Sequence, residues 1–183
     1  MASSLLILGG ARSGKSRFAV ACHPARARVT FLATAQPGDG DMGARIARHR
    51  AERPSSWTTI EEPFDLVARL ARVTADAVIV DCLTLWAANR MLRGDPDDAI
   101  LAEADALAAS ISGLPFGVTL VSNEVGEGVH PETADGLRFR DLLGIVNQRI
   151  AAAVARVVLM VAGIPLDVKR PTHESPISAL QTD

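Results

Sequence analysis

Tyrosine is absent from this chain, tryptophan occurs twice and phenylalanine five times, so aromatics make up only 4% of it. A core must therefore be assembled from Ala, Val, Leu and Ile. An excess of one charge is missing too: 21 acidic residues stand against 19 basic ones, for a net charge of −2. Such a balance gives no electrostatic reason to expect nucleic acid or an anionic membrane as a partner. Cysteine is scarce, with only Cys22 and Cys82. No CxxC pair or Cys/His cluster marks a zinc site, and so few thiols suit a reducing compartment. No hydrophobic run approaches the ~20 residues of a membrane span. The start, "MASSLLILGG", has neither the basic segment nor the apolar length of a signal peptide. A cytoplasmic location is the expectation. Internal repeats and long linkers are lacking as well.

What is present is ordinary for a globular protein: 183 residues, 48% hydrophobic and 22% charged. That length predicts one domain, residues 1–170, with a loosely ordered tail over 171–183. Short apolar runs alternate with longer helical patterns. Strands are predicted over 4–8, 28–35, 57–61, 76–81, 117–123 and 156–163. Helices are predicted from about Lys15, then over 41–53, 63–72, 83–93, 97–112 and 136–155. Pro54 marks the end of the 41–53 helix. The alternation indicates an α/β fold with a mainly parallel sheet. The strands are continuous apolar runs, as expected where helices cover both faces.

The first strand runs into "GGARSGKS", residues 9–16, which fits G-x-x-x-x-G-K-[ST]. The context of strand before and helix after is the one the mechanism requires. Backbone N–H groups of Gly9, Gly10, Ala11, Arg12, Ser13 and Gly14 can surround phosphate oxygens at a helix N-terminus. Lys15 is placed to reach the β- and γ-phosphates, and the Ser16 hydroxyl to coordinate Mg²⁺. Asp81 ends the apolar strand "AVIVD" and is the natural acidic partner for that metal. These features specify a nucleotide phosphate site rather than a reaction. A GTPase-type switch would carry N-K-x-D after a late strand, where "SNEV" (122–125) stands instead. A small-molecule kinase and an enzyme with a protein nucleophile remain open.

The nucleophile would be His49. In a helix over 41–53, Arg45, His49 and Arg53 share one face, with Arg48 and Glu52 beside it. A neutral imidazole can attack phosphorus. Neighbouring guanidinium groups can bind the phosphate oxygens, and they disfavour the protonated imidazole. The same arginines would equally suit a solvated face or a kinase's phosphate clamp.

The stretches "LILGGARSGKSRFA", "FLATAQ", "RIARHRAERPSSWTTIEEP", "VDCLTLWAAN", "VSNEVGEGVHPET" and "FRDLLGIVNQRIAAAVARVVLMVAGIPL" together span residues 5 to about 170. On them the chain resembles the bifunctional adenosylcobinamide kinase/adenosylcobinamide-phosphate guanylyltransferase family. The resemblance implies a RecA-like P-loop NTPase fold and two reactions. ATP or GTP phosphorylates adenosylcobinamide; GTP then donates GMP to adenosylcobinamide phosphate through a histidine intermediate. His49 matches that histidine. Nucleotide contacts are implied at Gly9 to Ser16, Thr34, Ala35, Arg50, Ala51, Glu52, Arg53, Glu61 and Asp81, with Lys15 catalytic and Ser16 and Asp81 at Mg²⁺. A homotrimer with sites between subunits is implied too. Asn123 and Glu124, at a strand end, either face substrate or shape the turn. Two departures stand out. Asp41 replaces the family's common Glu, and Arg48 stands where some relatives carry a second histidine.

Overall fold

The computed structural model describes residues 3–36 and 53–171. The predicted 41–53 helix lies outside them up to residue 52, and so does the tail from 172 on.

Among the described residues the strands form one seven-stranded sheet. In chain order they are β1 (Ser4–Gly9), β2 (Val29–Ala33), β3 (Thr58–Glu61), β4 (Ala77–Asp81), β5 (Gly117–Val121), β6 (Arg156–Val161) and β7 (Ile164–Lys169). The helices are α1 (Lys15–Ala21), α2 (Leu66–Leu70), α3 (Leu83–Arg93), α4 (Asp97–Ser110) and α5 (Ala134–Ala153). The strand order is β3-β2-β4-β5-β1-β6-β7. Every neighbouring pair is parallel except β6 with β7. The mainly parallel sheet expected from the alternating pattern is therefore what forms.

Alternation of side chains across the pleat divides the core in two. On one face Leu6, Leu32, Val80, Leu120 and Val157 pack against Trp86, Leu107 and Val146 of the long helices. On the other, Ile7, Phe31, Ile79, Val121 and Val158 pack against α1 through Ala19, and against Trp57. Both faces are covered, which is why these strands read as unbroken apolar runs. Trp86 is fully buried, and its indole N–H is satisfied by the Phe64 carbonyl at 2.7 Å. The predicted core of small aliphatic residues is thus centred on one of the chain's two tryptophans. No helix among the described residues is long and apolar enough to cross a membrane.

Local chemistry moved several predicted boundaries. Helix α2 begins at Leu66 rather than at 63. The Glu62 carboxylate accepts from the backbone N–H groups of Phe64 and Asp65, which holds the preceding residues in a turn. Helix α5 begins at Ala134 because the Thr133 hydroxyl caps it, accepting from Gly136 N–H at 3.1 Å. Helix α4 gives way after Ser110 to a 3₁₀ turn, Ile111–Gly113.

The strand β7 is absent from the sequence-based prediction. It turns back on β6 through Ala162 (φ 50°) and Gly163 (φ 84°), a two-residue hairpin with both central residues left-handed. An Ala at the first position hides that turn from a search for Asn-Gly or Asp-Gly. Pro165 then weakens the strand signal, and is tolerated because β7 is an edge strand.

Candidate functional site

The parallel strands all end at one edge, where ligands bind in open α/β sheets. Register places Glu61 opposite Ala33, Ala33 opposite Asp81, and Asp81 opposite Val121. One row of the sheet therefore collects two carboxylates expected at the nucleotide. The residues just beyond this row come from four strand exits: Thr34 and Ala35 after β2, Cys82 after β4, Ser122 to Glu124 after β5, and the Gly9–Ser16 loop on β1.

Gly9 closes β1 at φ 148°, and a Cβ there would meet the Met160 carbonyl at 2.6 Å and Ser13 Oγ at 2.7 Å. Only glycine fits so close an approach. Gly10, Ala11 and Arg12 form the exposed tip, with Arg12 at φ 58°. Ser13 is buried, and Gly14 precedes the first residue of α1 at φ 96°. The loop is held from three sides. Glu124 N–H donates to the Gly9 carbonyl at 3.1 Å, and Gly163 N–H to the Ser13 carbonyl at 3.0 Å. The Lys15 ammonium spans the loop from inside, donating to the carbonyls of Gly9 at 2.8 Å and Gly10 at 2.7 Å. Lys15 is buried despite its charge, and these carbonyls supply part of the compensation.

Ser16 lies in the first turn of α1 and Asp81 at the end of β4. Among the described residues neither the Ser16 hydroxyl nor the Asp81 carboxylate is used in a hydrogen bond or ion pair. No group of three or more His, Cys, Asp or Glu side chains gathers for a metal among those residues. A hydroxyl and a carboxylate are hard oxygen ligands and suit a small hard cation that keeps water and phosphate oxygens around it, as Mg²⁺ does.

Thr34 is fully buried at the exit of β2. Its N–H donates to the Asp81 carbonyl at 3.1 Å. Its hydroxyl accepts from Cys82 N–H and donates to the Cys82 carbonyl, both at 2.7 Å. The Asp81–Cys82 peptide between these contacts is cis. Asn89 on α3 donates to the Thr34 carbonyl at 2.7 Å and to the Pro63 carbonyl at 3.3 Å. A second polar group holds the exit of β5. Asn123 N–H donates to Thr84 Oγ1 at 2.7 Å, and the Asn147 amide donates to the Asn123 carbonyl at 3.0 Å. Sequence reasoning singled out neither Asn89 nor Thr84 nor Asn147. Their signal was a polar residue at a position that the apolar stripe of a helix should fill.

Arg53 was expected at the nucleotide. Its guanidinium lies 3.5 Å from the centroid of the Phe31 ring and donates to Thr59 Oγ1 at 3.2 Å, on the α1 face of the sheet. His49, Arg45, Arg48, Arg50, Ala51 and Glu52 lie outside the described residues.

One other candidate nucleophile at the edge, Cys82, is poorly suited to covalent chemistry. Burial, with the Asp81 carboxylate adding to it, pushes the Cys82 thiol up to about 11, so it stays protonated at neutral pH. His23 is held in the middle of β5's flank, 3.0 Å from Thr119 Oγ1, and burial lowers its pKa. His130 accepts at Nδ1 from Arg140 at 2.9 Å.

The cobinamide kinase / cobinamide phosphate guanyltransferase family profile matches residues 5–168. The bifunctional adenosylcobalamin biosynthesis protein CobP of Pseudomonas aeruginosa is 48% identical over 169 residues, covering 90% of this chain and 96% of its own. The corresponding CobU proteins of Escherichia coli and Salmonella typhimurium are each 38% identical over 179 residues, covering 90% of this chain and 99% of theirs. Among solved structures, a prototypical ATPase from a type III secretion system aligns with TM-score 0.52 at 14% identity, over 86% of this chain. The ATPase EscN of enteropathogenic E. coli aligns with TM-score 0.55 at 12% identity. The chain spans about half the length of these ATPases, 50% and 42% respectively. At such identities the likeness shows a P-loop-type α/β fold alone.

Proposed function

Because the chain belongs to the cobinamide kinase / cobinamide phosphate guanyltransferase family, we propose a mechanism in which one triphosphate site serves two transfers. The enzyme phosphorylates adenosylcobinamide and then transfers GMP from GTP to the resulting phosphate, in cobalamin biosynthesis. The observation that carries the mechanism is the single edge on which the Gly9–Ser16 loop, Asp81 and Glu61 converge. On this reading both reactions draw on this one phosphate loop.

In the kinase step the loop amides and Lys15 bind the phosphates of ATP or GTP and stabilise charge as the γ-phosphoryl group moves to the substrate hydroxyl. Ser16 and Asp81 would hold Mg²⁺, which supplies charge neutralisation at phosphate oxygens when bound. In the guanylyl step the His49 imidazole attacks the α-phosphorus of GTP. A nitrogen–phosphorus bond forms, the bond to the β-phosphate oxygen breaks, and pyrophosphate leaves. A phosphate oxygen of adenosylcobinamide phosphate then attacks the same phosphorus and releases the imidazole. Arg50 to Glu52 and the backbone near Ala35 would contact the nucleotide.

The fold reads more finely as RecA-like. Support comes from β5, which is inserted between the phosphate-loop strand β1 and the acidic strand β4. A homotrimer follows from the family resemblance.

Incubation with α-labelled GTP tests the mechanism. Wild-type protein should retain label after denaturation, in a bond labile to acid and more durable in base. His49→Ala should lose the label and nearly all GMP transfer while keeping kinase activity. A labelled His49→Ala protein would place the nucleophile elsewhere. An unlabelled wild type would reduce the enzyme to its kinase half.

A further inference from the structure

Asp81 is aimed by groups that are not themselves acidic. The two peptides that follow it, Asp81–Cys82 and Cys82–Leu83, are both held by Thr34, through its N–H to the Asp81 carbonyl and its hydroxyl to Cys82 N–H and C=O. A hydroxyl that accepts one 2.7 Å bond and donates another has a fixed rotamer and no proton left for a ligand. Thr34 is 0% exposed, so no solvent competes for these bonds. Asn89 then holds Thr34 from the α3 side, and the same amide nitrogen reaches Pro63, two residues past Glu61. Glu62 N–H closes the group by donating to the Ala33 carbonyl at 2.9 Å. The exits of β2 and β3 are thereby fixed to one side chain on α3, and the exit of β4 is fixed to them through Thr34.

We propose that Thr34 and Asn89 are positioning residues that set the Asp81 carboxylate for the nucleotide-bound divalent cation. This rests on the reading of Asp81 as the metal-facing carboxylate. It gives Thr34 a role other than a direct contact through its hydroxyl, and gives one to Asn89, the last residue of the stretch VDCLTLWAAN. Groups that orient a metal-facing carboxylate typically carry a 10- to 100-fold effect on metal affinity.

The test uses Mn²⁺ as the probe, read by its electron paramagnetic resonance signal on the full chain with a non-hydrolysable GTP analogue. Thr34→Val removes the hydroxyl with little change of shape, and Thr34→Ser restores it. Asn89→Asp keeps the shape but puts a carboxylate against two carbonyls. Thr34→Val and Asn89→Asp should raise the Mn²⁺ concentration for half-saturation by about tenfold or more. Thr34→Ser should stay near wild type. Binding of the analogue in EDTA, where no metal contributes, should be unchanged in Asn89→Asp and should fall far less than Mn²⁺ affinity in Thr34→Val. Thermal melts identify a variant that fails to fold, and the other position then decides. Equal losses with and without metal would make Thr34 an ordinary nucleotide or packing residue and overturn the proposal. So would wild-type Mn²⁺ affinity in Thr34→Val. Asp81→Asn separates the premise from the inference. If it leaves Mn²⁺ affinity intact, the reading of Asp81 fails and the proposal falls with it. If it weakens Mn²⁺ binding while Thr34→Val and Asn89→Asp do not, only the positioning roles fail.

Discussion

At the scale of single residues, charge is placed where the backbone can answer it. Lys15 is buried with two loop carbonyls around its ammonium group. On the proposed mechanism, Lys15→Ala removes the cation that both reactions would use against phosphate charge. It should depress phosphorylation and GMP transfer together, by on the order of 100-fold or more in kcat/KM. Loss of one activity alone in paired assays would reveal a second triphosphate site. Asp95 is charge of another kind, remote from the edge. Hydrogen bonds from Arg93 and then Arg90 outweigh partial burial and hold its carboxyl down to about 2, against an ordinary 3.8. A depressed folded-state pKa means stability that is full above the unfolded value and lost as pH falls through the folded one. The melting temperature of Asp95→Asn should thus lie below wild type at pH 5 to 8, and the gap should close by about pH 2. A gap that stays constant in acid would show that shape, not charge, sets the difference.

At the scale of elements, the loop between β1 and α1 was legible because its conformation demands particular residues. Gly9, Gly14 and Lys15 cannot be exchanged freely, so the motif survives in the sequence. Gly9→Ala tests this directly. Its Cβ would collide with the Met160 backbone, which cannot swing aside as a side chain can. Calorimetric titration with GTP should show binding weakened by at least about tenfold, with a lowered melting temperature. Wild-type affinity would mean that the loop tolerates a shift of β6. The polar clamps at the strand exits were not legible in the same way. Asn89 and Asn147 act on backbone carbonyls far away in sequence, and no local pattern records which carbonyl a side chain will meet. Strand β7 was missed for a different reason. Its partner β6 supplies the register, and its own residues carry little strand signal beyond Ile164, Leu166 and Val168.

For the whole molecule, β7 leaves an unusual surface. Ile164, Leu166 and Val168 are 62%, 49% and 64% exposed, and Val161 beside them is 50% exposed. An uncovered apolar edge strand is an open template for another chain. In the proposed homotrimer this edge is a natural place for subunits to meet. Leu166→Lys combined with Val168→Lys should shift the mass measured by light scattering from trimer toward monomer. A wild type that is already monomeric at micromolar concentration would remove the trimer, and an unshifted double variant would move the interface elsewhere.

The interposed strand β5 has a metrical consequence. Neighbouring strands lie ~4.8 Å apart, so the phosphate loop on β1 and Asp81 on β4 are offset by about 9.6 Å across the sheet. A nucleotide chain that carries a cation at its far end can touch both anchors at once. A longer phosphate chain makes more contacts along that offset than a single phosphate does. On the proposed mechanism the edge would thus favour ligands that string more phosphates together, before any base is read. In Mg²⁺ the affinities should descend from GTP through GDP to GMP, with GMP at least about tenfold weaker, or 1.4 kcal/mol. Equilibrium dialysis would show the ranking, and Asp81→Asn should flatten it. The nucleoside diphosphate left by the kinase step would then be held less tightly than the next triphosphate.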